Sequence, residues 1–542
     1  MRYHQKKLYF LVIILLIASG LRIILLGLNC IPFNADEAVV GLMARHILLT
    51  TERPIFFYGQ AYMGSLDAYL VALAFSIFGI SVWAIRAVQI SLYLLVIVTS
   101  VCIANNAFRQ PNAKWVSAIL LAIPPVNVVL YTTVSLGGYG EALLIGNLIL
   151  LSGISLINNH GKNSFILSVW LSFILGGLIG LGLWVNGLTL IYAIPTVLVI
   201  VWRMAAQGNK IARQNVLIQL GVFVSAFLLG SLPWWIYAFQ SSFTNLISEL
   251  LGSAVAVETG SWIHRIGMHT FSLIILGGTV LFGLRPPWEV RWLIVPLAPL
   301  ILLIWGGILW LWARKLFRGG DHDAIHIIFM GVLITFSIGF IFTSFGIDPS
   351  GRYFIPLWVI FAFIAGDVIP TFIKNRSFQW LITLVILVFN LGGTIDCAIR
   401  YPPGITTQFN PETQIGQRSL PELIQFLLEK GETRGYSNYW VAYPLAFLSN
   451  EELIFSPRLP YHMDMRYTPR DDRYPNYTAM VQSSQKVAYL TTKNPVLDQY
   501  LRSKFTELAI TWEEKTIGDF HLFYHLSMPI QAERLGLGDK YP

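Results

Sequence analysis

Apolar stretches long enough to cross a bilayer recur from the N-terminus to about residue 396. They run roughly over 8–28, 66–80, 83–107, 115–133, 140–157, 164–183, 186–203, 216–239, 270–284, 292–313, 325–346, 352–370 and 378–396. About 18–20 apolar residues in helix match the hydrocarbon thickness of a membrane, so most of these segments read as membrane spans. Only 12% of the 542 residues are charged and 55% are hydrophobic. Soluble domains carry about 25% charged residues, a gap too wide to be explained by a larger soluble core. The first segment continues into Asn29-Cys30-Ile31-Pro32-Phe33 without a small-residue cleavage site, which reads as an uncleaved helix rather than a signal peptide.

Net charge is +8, with Lys and Arg gathered in short loops. Such loops mark the cytoplasmic side of a membrane protein. No basic, aromatic-studded patch of the kind that binds nucleic acid occurs. Cys30, Cys102 and Cys397 have neither metal-site nor disulfide-framework spacing. The basic loops are the N-terminus (Arg2, Lys6, Lys7), Arg109–Lys114, Lys162, Lys210–Arg213, Arg314–Arg318 and Lys374–Arg376. Placing all of them inside requires that 66–80 and 270–284, each short, do not cross. The expected architecture is therefore an α-helical polytopic membrane protein of about 11–13 transmembrane helices with a soluble α/β domain behind it.

The same constraint puts one set of polar loops outside: Asn29–Ser65, Ser135–Glu141, Trp184–Gly187, Gln240–His269, Gly346–Arg352 and everything after about residue 397. The expected domains are a membrane catalytic domain over 1–397, with large outer loops at 29–65 and 240–269, and an outer soluble domain over 398–542. In that last part Pro421–Lys430 and Asn494–Lys504 read as helices, and Trp440–Tyr443, Glu452–Phe455, Lys486–Thr491 and Phe520–Tyr524 as strands.

Polar groups in the outer loops are the candidate functional residues. Asp36 and Glu37 directly follow the first span, and a helix carrying Arg45 begins with them. Acids in a first turn also serve as caps and dipole partners, so the local pattern fits either use. Tyr58, Gln60, Tyr62 and Asp67 suit a pocket wall, as do Tyr139, Glu141 and Asn186 beside their glycines. Glu258, His264, Arg265 and His269 share one loop; Glu258 with His264 are the residues to which a divalent metal is open, in a spacing that matches no established motif. Arg352, in Arg352-Tyr353-Phe354-Ile355-Pro356, stands at the mouth of a late span, where a guanidinium is suited to a phosphate.

Taken together these features resemble the GT-C superfamily of membrane glycosyltransferases, in particular the branch of protein O-mannosyltransferases and the lipid A aminoarabinose transferase (glycosyltransferase family 39-like). The resemblance rests on Asp36-Glu37 after the first span with the helix carrying Arg45, on Leu66–Gly79 followed by Val82-Trp83-Ala84-Ile85-Arg86, and on Arg352-Tyr353-Phe354-Ile355-Pro356. It implies transfer of a sugar from a polyprenyl-phosphate carrier, undecaprenyl or dolichyl, to an acceptor, protein, lipid or glycan, on the extracytoplasmic face; with the N-terminus put in the cytoplasm by the basic loops, a bacterial inner membrane is the expectation and an organelle membrane the alternative. It implies Asp36, with Glu37 beside it, as catalytic acid pair, and Arg352, Tyr353, Arg45 and Arg265 as donor-phosphate binders. The chain departs from the aminoarabinose transferase pattern at Val39, where that family has Arg, and at Tyr62-Met63-Gly64, where it has Glu-Lys-Pro. These departures argue against the same substrate. A polytopic transporter or lipid flippase is the alternative, and a non-catalytic assembly subunit a third; the lack of an internal repeat weighs against transport.

Overall fold

Residues 2–159, 165–206, 213–241, 243–253, 261–317, 324–400 and 404–538 are described by the structure, a computed structural model. The chain divides into two units that do not follow sequence order. One comprises Met1–Leu28, Tyr62–Leu66 and Arg86–Ala398; the other comprises Asn29–Ala61, Asp67–Ile85 and Ile399–Pro542. Most of the first outer loop, Asn29–Ala61, thus belongs to the same unit as the C-terminal region, while Tyr62–Leu66 belongs to the membrane unit.

Among the described residues nine helices are long and apolar enough to cross a membrane, or ten if one bent pair is a single span. Three expected segments account for the difference from thirteen. The 66–80 segment is the short helix Leu66–Phe78. The 115–133 segment breaks into Ala113–Ala122 and Val126–Tyr131, because Pro124 and Pro125 supply no N–H to continue the ladder. The 270–284 segment lies in a helical run that passes from Trp262–Phe271 into π geometry over Ser272–Gly277. The bent pair is Gln214–Gly230 with Leu232–Gln240, angled by 60°, and Pro233 sits in the first turn of its second half.

Helix Phe165–Val185 packs closely on helix Arg213–Gly230 in the membrane unit. A Cβ at Gly176 would stand 2.3 Å from the Phe223 carbonyl, and one at Gly180 would stand 2.2 Å from that of Phe227. Only glycine admits this approach, the small-residue seam by which membrane helices gain packing without a hydrophobic driving force. The late span Arg352–Phe372 is the most enclosed, with 94% of its apolar window buried. A buried cation in the first helix finds partners for its terminal nitrogens: Arg22 donates to the Ala18 carbonyl at 2.9 Å and to Thr132 Oγ1 at 2.7 Å, and lies 4.1 Å from the Tyr93 ring centre.

The second unit is built on a five-stranded sheet of order β4-β3-β5-β7-β6. The strands are β3 (Arg434–Tyr436), β4 (Ile454–Ser456), β5 (Ala488–Thr492), β6 (Glu513–Ile517) and β7 (Phe520–Tyr524). A separate ribbon of Phe56–Phe57 and Gln60–Gly64 forms β1 and β2. β3 pairs in parallel with β4 and β5, and β7 pairs antiparallel with β5 and β6. Helices Leu420–Glu429 and Tyr439–Leu448 cover one face through Leu423, Leu427, Val441 and Leu445, which join Phe455, Leu490 and Leu522 in one core. The expected strand Trp440–Tyr443 is therefore a helix. Its start is fixed by Asn438, whose side chain accepts from the Trp440 N–H at 3.0 Å, and a cap overrides the β preference of a short aromatic run. Strand β7 forms with the expected bounds, and the other expected elements of this region form with shifted ends, as helices Leu420–Glu429 and Pro495–Glu507 and strands β4 and β5.

The first-loop helix Ala35–Leu49 packs on helix Tyr439–Leu448 within this unit. Phe33 and Phe447 stand 5.4 Å apart, and a Cβ at Gly41 would meet the Phe447 ring at 2.6 Å.

Candidate functional site

The acid pair sits in the first turn of helix Ala35–Leu49, and the cap is neither acid. Asn34 is the N-cap, its Oδ1 accepting from the Glu37 N–H at 2.9 Å. Asp36 and Glu37 diverge: Glu37 is fully buried, whereas Asp36 is only partly so. The Asp36 carboxylate accepts a hydrogen bond from the Tyr439 hydroxyl. Arg473 lies over the Tyr439 ring at 5.4 Å and over Phe57 at 5.9 Å. Gln60 presents its side-chain carbonyl to Arg473, accepting from both terminal nitrogens at 2.6 and 2.8 Å. Asp471 completes the group: burial pushes its carboxyl up to about 7, Arg473 opposes the shift and the Asp36 charge adds to it.

A second network in the same unit takes up Arg45 and Tyr58. Arg45 Nε lies 2.9 Å from Glu451 Oε2, and its other nitrogens donate to the Asn450 side chain and carbonyl at 2.8 and 3.1 Å. His46 reaches Glu451 at 3.0 Å and the Tyr58 hydroxyl at 2.9 Å. Tyr58 and Tyr474 both donate to Glu52, and Tyr477 donates to Glu451 at 2.8 Å. Arg45 is thus held by protein carboxylate, unlike the phosphate partner expected for it. Asp67 is buried in the first turn of helix Leu66–Phe78.

The remaining candidates belong to the membrane unit. Arg352 Nε pairs with Asp348 Oδ2 at 2.6 Å, and its guanidinium lies 5.0 Å from the Tyr353 ring centre. The turn before it is set by Gly351 at φ 73° and by the Ser350 N–H, which donates to Asp348 Oδ1 at 2.7 Å. Tyr353 sits among Phe345 at 4.9 Å and Tyr139 at 6.3 Å, and Tyr62 lies 6.0 Å from Phe345. Asn186 bridges to Met63 and accepts from the Leu188 N–H at 3.0 Å. Tyr62, Asn186 and Tyr353 line a cavity of about 240 Å³, whose remaining walls include Phe345, Leu190, Ile194, Phe336 and Phe340. Glu141 is buried in the first turn of helix Tyr139–Asn159. Arg265 is partly buried and His264 exposed on helix Trp262–Phe271. Glu258 lies outside the described residues. Among the described residues no three His, Cys, Asp or Glu side chains converge as a metal site would require.

Sequence reading did not find Tyr439, Arg473 and Asp471. Tyr439 lies in an apolar run, and Arg470-Asp471-Asp472-Arg473 has the composition of a solvated loop.

No family model matches the chain, and no curated protein matches it. Solved structures do. The ArnT from Cupriavidus metallidurans, bound to undecaprenyl phosphate, matches with a TM-score of 0.61 at 11% identity, over 96% of this chain and 98% of that one. The Archaeoglobus fulgidus oligosaccharyltransferase, in complex with Zn and sulfate, matches with a TM-score of 0.53 at 15% identity, over 89% of this chain and 68% of that one. The archaeal oligosaccharyltransferase AglB from Archaeoglobus fulgidus, in complex with an inhibitory peptide and a dolichol-phosphate, matches with a TM-score of 0.51 at 14% identity, over 90% of this chain and 69% of that one. The chain shares the fold of these solved structures, a polytopic helical membrane part with a C-terminal region carrying a small sheet.

Proposed function

We propose that this protein is a polyprenyl-phosphate-sugar-dependent glycosyltransferase, acting on the extracytoplasmic face of a bacterial inner membrane. The observation that carries the reading is Asp36: a carboxylate on the first-loop helix, not consumed in capping, in a chain that shares its fold with an ArnT bound to undecaprenyl phosphate. Its N-terminus is assigned to the cytoplasm and residues 398–542 to the outer compartment, on the distribution of basic loops.

The chemistry is a direct displacement. The acceptor hydroxyl oxygen attacks the anomeric carbon, the bond from that carbon to the carrier phosphate breaks with its electron pair going to the phosphate oxygen, and the hydroxyl proton passes to Asp36. The anomeric configuration inverts. Glu37, fully buried, keeps the first turn acidic rather than touching the acceptor. Arg352 is the phosphate binder: a guanidinium already held against Asp348 offers its remaining donors to the developing charge, with Tyr353 beside it. The apolar cavity beyond Tyr353 suits the first isoprene units of a carrier. Arg45, bound to Glu451, is not assigned to the phosphate. Arg265 stays a second candidate for it. The described residues do not supply a metal's ligand set, and no step is routed through one.

The test is sugar transfer by purified, detergent-solubilised protein offered a panel of radiolabelled polyprenyl-phosphate sugars, with and without chelator. Label leaves one carrier with wild type and stays on it with Asp36→Asn. A folded wild type that consumes no donor in the presence of hydroxyl-bearing acceptors counts against the reading. The transporter alternative has no observation of its own in its favour.

A further inference from the structure

We propose that Tyr439, in the C-terminal region, is a positioning residue for Asp36: its hydroxyl holds one carboxylate oxygen and leaves the other to receive the acceptor's proton. The inference rests on the assignment of Asp36 as base.

A carboxylate at the end of two rotatable bonds presents either oxygen in many orientations. A base works from one, because the proton must be met at hydrogen-bond distance in the transition state. Tyr439 donates to Asp36 Oδ1 across 403 positions of sequence, so the constraint comes from the fold and not from the first loop itself.

Tyr439 is itself immobile. Only 2% of it is exposed. Its ring stands 4.9 Å from Trp440 and 5.4 Å from Tyr443. The helix it opens is tied to the sheet: Asn438 Nδ2 donates to Thr492 Oγ1 at 2.8 Å and Ser437 Oγ donates to the Leu490 carbonyl at 2.8 Å, both on β5. Arg473 covers the remaining ring face, and is fixed by Gln60 and by its own N–H, which donates to the Tyr443 hydroxyl at 2.6 Å. In the 469–473 turn the buried Asp471 carboxyl feels both the Asp36 charge and the opposing Arg473 guanidinium. Arg473 keeps the phenol side of the carboxylate from becoming a purely anionic pocket.

A hydrogen bond to an ionised carboxylate favours its charged form, so its removal has a signature that lost packing does not. Tyr439→Phe keeps the ring and deletes the donor. In the carrier-sugar assay kcat falls about 10–100-fold, the span expected for a charged hydrogen bond. Donor KM stays within about twofold, and the acid limb of the pH–kcat profile moves to higher pH. A folded variant with unchanged kcat and an unchanged acid limb overturns the inference. The second measurement needs no turnover: carboxyl labelling of Asp36 by a water-soluble carbodiimide with an amine, read by mass spectrometry against pH. The midpoint rises in Tyr439→Phe; an unmoved midpoint overturns the positioning role. If wild type consumes no donor while the midpoint still rises, the glycosyltransferase reading fails and the Tyr439–Asp36 coupling stands.

Discussion

Arg45 Nε lies 2.9 Å from one oxygen of Glu451, and the adjacent His46 reaches the other oxygen at 3.0 Å. Neighbouring residues on one helix thus divide a single carboxylate brought from more than 400 positions away. The contact joins the first-loop helix to the turn after helix Tyr439–Leu448, within the same unit that holds Asp36. Its role is architectural: it fixes the helix whose first turn carries the acid.

Glu451→Ala removes the partner of Arg45, His46 and Tyr477 together. Three donors are left facing a gap, two of them inside a half-buried network. The expected loss is about 2–3 kcal/mol, because orphaning donors costs more than the net worth of the bonds. Thermal unfolding of the detergent-solubilised protein should show it as a lower midpoint for the unit, with the helical signal of the membrane spans retained. Glu451→Gln keeps the shape and should lose less.

The same network predicts an acid-side weakness. Burial disfavours the charged form of Glu451, yet hydrogen bonds from His46 and Tyr477 and the charge of Arg45 hold its carboxyl below the ordinary glutamate range. Glu52 is likewise held low, against burial, by the Tyr474 and Tyr58 hydroxyls. A carboxyl depressed in the folded state contributes stability that is fully present above its unfolded value, near 4.5, and is lost as pH falls through the folded one. Unfolding midpoints should therefore drop below about pH 4.5, and Glu451→Gln should flatten that part of the curve.

Gly351 precedes Arg352 at φ 73°, and a Cβ there would stand 2.6 Å from Val280 Cγ1 and 3.0 Å from Val280 Cβ. Gly351→Ala then faces both the left-handed penalty, about 1–2 kcal/mol, and a clash. The turn that presents Arg352 has to shift, so donor KM should rise by more than kcat falls. Gly306→Ala, where an added Cβ meets nothing within 4 Å, is the control that should change neither.

Some of this was legible in the sequence and some was not, for reasons that can be located. Long apolar segments carry their own period and length, so the membrane helices and the GT-C resemblance followed from local pattern. Where a local signal conflicted with length, at Pro124-Pro125 and over 270–284, the spans broke. Asp36 stood out as one of two acids beside a membrane segment, a pattern that fits a helix cap as well as a functional use. Its partner did not, since Tyr439 is reached only through a helix that an aromatic run disguises and an Asn438 cap reveals. The carboxylate partner of Arg45 was equally out of reach of the local pattern, since Glu451 lies more than 400 positions away.

Asp471 gives the last prediction, and it opposes the acid-side one. Burial pushes this carboxyl up to about 7 and the Asp36 charge adds to the shift, with Arg473 acting against both. A carboxyl raised in the folded state costs nothing below its unfolded value near 3.8, since both states are then protonated. As pH climbs from there toward 7 the unfolded chain ionises more readily, so folding is penalised progressively, and above about 7 the penalty levels at a few kcal/mol at most. Asp471→Asn keeps the shape without the charge. Its gain in unfolding midpoint over wild type should be absent near pH 4, grow between pH 4 and 7, and stay constant above. A gain independent of pH would mean that Asp471 acts through packing alone. A loss at neutral pH would mean that its charge is needed by Arg473, and would place the ion pair ahead of desolvation in that turn.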